Sequence, residues 1–412
     1  MTRNIIEPAL AHMTWKVGNV TTPLGFKAFG TASGILKGRP DMALIWSVKP
    51  AVVSGLFTTN TAKAWPVLLT QKTVYHGLCQ AVIINAGNAN AATGPQGEKD
   101  AALMQERTAR GLNIPPSFVA VASTGVIGVP LPMDKIDQGI HQLLEQWEEH
   151  RDCDGKAASE AILTTDQVPK VLAAEVTLPE GTVHMGLMAK GSGMIHPNMA
   201  TMLAFVTTDA VIDKELQDHL LRQAVDRSFH RISVDGDPST NDMVLMMANG
   251  LSRVAIETPE SIKLFQSALT HLLRQGARMI ADDGEGATHL ITCHVKGAPS
   301  EEDAAQKARA VVRSNLVKAA IYGQDPNWGR ILAAIGTTPG AFDPDHVAIR
   351  IGDLTLFDQD LPTSFDENEA KDIMGQHEVV IEVDLHNGSY EAEAWGCDLT
   401  ERYVEINAHY RT

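Results

Sequence analysis

Residues 190–205 read KGSGMIHPNMATMLAF. A lysine and a flexible glycine turn lead into His196-Pro197-Asn198-Met199-Ala200, and Thr201 opens an apolar, strand-like run from Met202 to Val206. Threonine at the head of a strand is ordinary. It becomes chemically special only if the chain breaks at Ala200–Thr201, because a free α-amine on Thr201 can then take the proton from its own hydroxyl and make it a nucleophile. An α-amine titrates near about pH 8, close to working conditions. The hydroxyl can break the chain itself by attacking the preceding carbonyl in an N-to-O acyl shift, given a strained turn, and the glycine-rich lead-in permits one.

Outward from this stretch, β-like and helical patterns alternate. Gln80–Asn85 (QAVIIN) and Ser117–Ala122 (SFVAVA) are short apolar runs bounded by Gly, Pro or Asn and read as buried strands, as does Thr182–Ala189. Pro132–His150 places Ile136, Ile140, Leu143, Leu144 and Trp147 on one helical face. Thr258-Pro259-Glu260 is a helix start with a capping hydroxyl, proline at the first helical position and an acid in the first turn. A further helix is expected over Glu302 to Tyr322. Strands are expected at His289–Val295, around Val379, Ile381 and Val383, at Tyr390–Ala394 and at Arg402–Ile406. The expected class is mixed α/β (α+β), with sheets and packed helices in two lobes. Three glycine-bearing stretches between elements are candidate site loops: Ser123–Gly128 (STGVIG), Lys190–Met194 and Asp282–Thr288 (DDGEGAT).

Bulk properties narrow the function. The chain has 412 residues, 44% apolar and 20% charged, with no run of eighteen apolar residues, which suits a folded domain or pair of domains and excludes a membrane span. A net charge of −16 argues against nucleic acid or an anionic membrane as partner. Residues 1–200 carry 16 basic and 16 acidic side chains, whereas 201–412 carry 18 and 34, so position 200/201 is a candidate boundary. Four scattered cysteines and an N-terminus without the order of a signal peptide favour a reducing, cytoplasmic setting. GxxxxGK[ST], GxGxxG after a strand, HExxH and GxSxG are all absent, and the 15 histidines show no metal-ligand spacing, so chemistry without metal or bound cofactor is expected.

The chain resembles the glutamate N-acetyltransferase (ornithine acetyltransferase) family of the cyclic arginine pathway. The likeness runs nearly end to end, through Gly55–Asn60, Asn85–Asn90, Ser123–Gly128, Thr164-Thr165-Asp166, KGSGMIHPNMATML, Val234–Asp237, Ser239–Asp242, Asp283–Thr288, Gly323–Arg330 (GQDPNWGR) and Cys397–Thr400. The resemblance implies self-cleavage at Ala200–Thr201 into an alpha chain, 1–200, and a beta chain, 201–412, that stay together as a heterotetramer of two of each. It implies that Thr201 takes an acetyl group from N2-acetylornithine and passes it to glutamate. The family's oxyanion hole falls on Thr124 and Gly125. Its substrate contacts fall on Thr164, Lys190, Glu285, Asn407 and Thr412, besides Thr201. The resemblance is compatible with acetyl-CoA as a second donor.

Ala86, His230, Pro238 and His289 depart from the family's usual residues and bear on specificity rather than on acyl transfer. A hydrolase or aminopeptidase of the same N-terminal-nucleophile type, a related acetyltransferase of a specialised pathway and an uncleaved binder of acidic metabolites are the competing readings.

Overall fold

The computed structural model describes residues 7–149, 153, 155–196, 202–340 and 342–409. These form two mixed sheets, of nine and seven strands, with helices packed on them. The larger sheet runs in the order Met13–Lys16, Lys170–Leu178, Gly181–Lys190, Leu203–Thr208, Met243–Ala248, Met42–Phe57, Leu78–Asn88, Val119–Val126, with Phe26–Thr31 beside Met42–Phe57. The smaller one runs Leu361–Pro362, Leu354–Asp358, Ala348–Ile351, Glu378–Asp384, Leu290–Ala298, Tyr390–Cys397, Ile232–Ser233.

The continuous apolar runs of the larger sheet have a simple cause: it is covered on both faces. Ala81, Ile83, Val119 and Val121 point into one core, and Val82, Ile84, Ala120 and Ala122 into another. Leu203–Thr208 is likewise sandwiched, with Leu203 and Phe205 on one side and Ala204 and Val206 on the other. It pairs antiparallel with Gly181–Lys190 and parallel with Met243–Ala248. One sheet therefore takes strands from both sides of residue 200, and the charge step at that position does not coincide with a division between sheets.

The helix Pro259–Asp282 starts as expected at Thr258, whose hydroxyl accepts from Ser261 N at 3.1 Å, while Ser261 Oγ accepts from Thr258 N. The single helix expected over 302–322 is instead two, Glu301–Arg313 and Asn315–Tyr322. Ser314 breaks it: its backbone turns to ψ 114°, and its hydroxyl caps the second helix at Val317 N. The strand expected over 402–406 is a helix, Glu401–His409. Thr400 explains the difference, since its hydroxyl donates to Gly286 O at 2.8 Å and accepts from Tyr403 N at 3.3 Å, starting a helical turn. Five residues of mixed polarity fit either period, and the cap decides.

Candidate active site

Loops from both parts of the chain meet at a cavity of about 290 Å³. Thr124 and Gly125 enter it from the end of the strand Val119–Val126, where the parallel ladder with Leu78–Asn88 shifts register. Gly125 has φ +131°, and a Cβ there would come 2.3 Å from the Gly87 carbonyl carbon, so the site needs glycine. Asn241 fixes this corner by donating to Ala89 O and Ser123 O at 2.6 and 2.8 Å.

Lys190, at the end of the strand Gly181–Lys190, is 3% exposed and places Nζ 2.7 Å from Thr164 Oγ1 and 3.5 Å from Thr124 Oγ1. Burial lowers its pKa, and Asp166 Oδ2 at 3.8 Å works against that. Beneath it, fully buried Lys170 bridges Asp166 Oδ1 at 2.6 Å and Asp283 Oδ2 at 2.5 Å. Burial alone would raise Asp166, but Lys170 and Lys190 together hold it below its ordinary value. Asp283 goes the other way, raised by burial against the pull of Lys170. Asp166 is therefore the carboxylate that keeps its charge most firmly, and it also takes Gly191 N at 2.6 Å. A buried ion triad thus sets the exit angle of the chain just after Lys190.

The opposite wall is acidic. Glu285 is 5% exposed, with Oε2 accepting from Asn407 Nδ2 at 2.7 Å. Asp235 accepts from Met194 N and Ile195 N at 2.5 and 2.9 Å, and Tyr403 Oη donates to it at 3.4 Å. Burial raises Asp235, and burial together with Asp235 and Glu285 raises Tyr403. Gly193 lets the turn pass Glu285: a Cβ there would sit 2.3 Å from the Glu285 carboxyl carbon. Gly193→Ala is accordingly expected to displace the end of Glu285 and break its bond to Asn407 while leaving the fold intact. KM for a substrate bound in this cavity should rise by about tenfold, some 1.4 kcal/mol, with little change in melting temperature. Steady-state kinetics and thermal melts check this.

Of the residues expected from sequence, Thr124, Gly125, Thr164, Lys190, Glu285 and Asn407 all line this one cavity. Ala200, Thr201 and Thr412 lie outside the described residues. The described chain resumes at Met202, whose N donates to Asp242 Oδ1 at 2.8 Å, and Leu203 faces Lys190 across the ladder. Asp242 is buried and its pKa is raised well above the ordinary range by burial. Sequence reasoning gave no role to Asp235, Asp237 or Tyr403, which also line the cavity. The segment Val234–Asp237 was recognisable as a family motif, and Tyr403 stood four residues before Asn407, the spacing of one helical face.

Among the four departures, Pro238 lines the cavity and Ala86 pairs with Thr124 in the ladder, whereas His230 and His289 bind Asp226 and Asp398 away from it. No group of three His, Cys, Asp or Glu among the described residues is placed to hold a metal ion, and no described helix is long and apolar enough to cross a membrane.

Residues 27–412 match the ArgJ family. The chain is 51% identical to the arginine biosynthesis bifunctional protein ArgJ of Symbiobacterium thermophilum, over 97% of this chain and 100% of that protein. Among solved structures, it is similar to the arginine biosynthesis bifunctional protein ArgJ of Bacillus halodurans, at 45% identity and TM-score 0.49, covering 50% of this chain and 98% of that one. It is also similar to the ornithine acetyltransferase of Mycobacterium tuberculosis solved with ornithine, at 39% identity and TM-score 0.40, covering 45% of this chain and 98% of that one.

Proposed function

The chain belongs to the ArgJ family, and on that premise we propose how the cavity works. The protein is an acyltransferase of arginine biosynthesis: it moves the acetyl group of N2-acetyl-L-ornithine to L-glutamate, giving N-acetyl-L-glutamate and L-ornithine. The observation that carries the site assignment is the convergence of Thr124, Gly125, Thr164, Lys190, Glu285 and Asn407 from five separate stretches on one cavity with a cationic and an acidic wall.

In this reading the chain is cleaved at Ala200–Thr201. The Thr201 hydroxyl, its proton taken by the new α-amine, attacks the acetyl carbonyl. The negative oxygen of the tetrahedral intermediate is stabilised by the Thr124 hydroxyl and the Gly125 N–H. Lys190, oriented by Thr164, binds the substrate α-carboxylate. Glu285, held by Asn407, receives the amine that leaves as ornithine, and Thr412 completes this wall. Glutamate then attacks the acetyl-threonine ester. One amide is exchanged for another, so the reaction needs no external energy source, metal or bound cofactor. Acetyl-CoA, a thioester and hence a more reactive acyl donor than an amide, is a second donor in this proposal. The two chains remain associated through the shared nine-stranded sheet, and we assign the assembly as two alpha and two beta chains in the cytoplasm.

The test is transfer against hydrolysis. With N2-acetylornithine and isotope-labelled glutamate, label is expected in N-acetylglutamate in step with ornithine release; free acetate with unlabelled product would sink the transferase reading in favour of a hydrolase. In the same assay Thr124→Val, which removes one oxyanion donor, should lower kcat on the order of 10²–10³-fold.

A further inference from the structure

The two substrates of the proposed reaction carry opposite side chains. N2-acetylornithine ends in an ammonium and glutamate in a carboxylate, and in an exchange through one acetyl-threonine they occupy the same cavity in turn. The cavity therefore has to favour a cation without shutting out an anion.

Among the described residues, the charged side chains lining it are one cation, Lys190, and three acids, Asp235, Asp237 and Glu285. All but one are engaged. Lys190 donates to Thr164 Oγ1, Glu285 accepts from Asn407, and Asp235 accepts from Met194 N, Ile195 N and Tyr403 Oη. Asp237 differs. Its N donates to Asp235 Oδ1 at 3.3 Å, but no hydrogen bond or ion pair with another described residue engages its carboxylate. Its charge still reaches the cavity wall. After burial, the larger cause, it raises Asp235, and it adds to burial, Asp235 and Glu285 in raising Tyr403.

The local sequence fixes where this carboxylate stands. Gly236, at φ +85°, turns the backbone between the two aspartates, and Pro238 follows Asp237. A residue before proline is held in extended backbone, so the segment presenting Asp237 has little freedom. Exposure sets how strongly it acts. Asp237 is exposed, whereas Glu285 is buried. A buried, unpaired carboxylate would exclude a second negative group outright. Water screens an exposed one, so its attraction and its repulsion are each worth only a few-fold.

We propose that Asp237 reads the substrate side chain: its carboxylate pairs with the terminal ammonium of N2-acetylornithine and tolerates, through water, the terminal carboxylate of glutamate. The inference rests on the transferase reading, in which Lys190 takes the α-carboxylate and Glu285 the α-nitrogen. The side chain is then the substituent of the α-carbon still to be placed, and Asp237 is the charged wall still unpaired among the described residues.

The test measures transfer to labelled glutamate by wild type, Asp237→Asn and Asp237→Lys. The donors are N2-acetylornithine and N2-acetylnorvaline, which has the same carbon chain without the terminal amine. In an exchange through a covalent intermediate, kcat/KM for each substrate reports its own half-reaction. For Asp237→Asn, kcat/KM is expected to fall about fivefold for N2-acetylornithine, to stay level for N2-acetylnorvaline and to rise about twofold for glutamate. Asp237→Lys should move the first and last further in the same directions. Added salt should narrow the wild-type preference for the aminated donor. An unchanged preference between the two donors in Asp237→Asn overturns the assignment and leaves transfer standing. So does an equal loss with donors and acceptor, which a merely structural role would give. A wild type that passes no label to glutamate removes the transferase reading itself, and this proposal with it.

Discussion

Thr201→Ala is expected to remain a single polypeptide of 412 residues and 44.4 kDa, with no measurable transfer of acetyl groups. The wild type should appear by intact mass as two chains, one of them beginning at Thr201. The variant keeps the backbone and loses only the hydroxyl and a methyl group, so both failures trace to one atom. Without Oγ the acyl shift has no attacking oxygen, and without the shift there is no free α-amine. Losing the nucleophile of an acyl-enzyme mechanism costs on the order of 10⁶ in kcat, and the residual rate reflects binding and the oxyanion donors alone. Thr201→Ser restores a hydroxyl and should recover both cleavage and turnover in part. A Thr201→Ala protein that is cleaved and active would refute the nucleophile assignment. One that is cleaved but inactive would separate the two roles and move the chain-breaking chemistry to another group.

Strands buried on both faces were the most legible part of the fold. The run Gln80–Asn85 has no polar side to confuse its reading, because helices cover both faces of that sheet. Boundaries decided by a single cap were not legible. Ser314 looks like any helical serine until its hydroxyl is seen on Val317 N, and Arg402–Ile406 alternates well enough to pass for a strand until Thr400 starts a helix there.

The site divides in the same way. Thr124, Lys190 and Glu285 sit in short motifs that are recognisable as letters, and the cavity contains all three. The groups that hold them in place are contacts across long stretches of chain. Lys170 meets Asp283 over 113 residues, and Tyr403 meets Asp235 over 168. Nothing in the periodicity of either segment announces such a pair, and a buried lysine between two aspartates runs against the expectation that charge faces water. The charge step at 200/201 was visible in composition, but the sheet runs straight across it, since hydrogen bonding between strands is indifferent to the net charge of the segments they come from.

The buried triad yields the other large effect. Lys170→Met keeps the length of the side chain and removes its charge, leaving Asp166 and Asp283 together in a site where both are at least nine-tenths buried. Breaking a buried pair by removing one partner costs about 3–5 kcal/mol, chiefly because the remaining charge has no compensation. The sign with pH follows from where the protons go. In the wild type Asp166 is held below its ordinary value, so its share of stability is present above the unfolded pKa, near about 4, and is lost as pH falls through the lower folded value. In the variant Lys170 no longer opposes the burial that raises these groups. A carboxylate whose folded pKa lies above its unfolded one binds more protons when folded, so its stability falls as pH rises. The deficit of Lys170→Met should therefore be largest near pH 7.5 and shrink towards pH 5 as the two carboxyls take up a proton. Denaturant unfolding of both proteins at the two pH values measures it. Activity should drop along with stability at neutral pH, since Asp166 also holds Gly191 N and stands beside Lys190. A deficit that stays constant or grows on acidification would mean that Lys170 contributes packing rather than charge, and would separate the triad from the placement of Lys190.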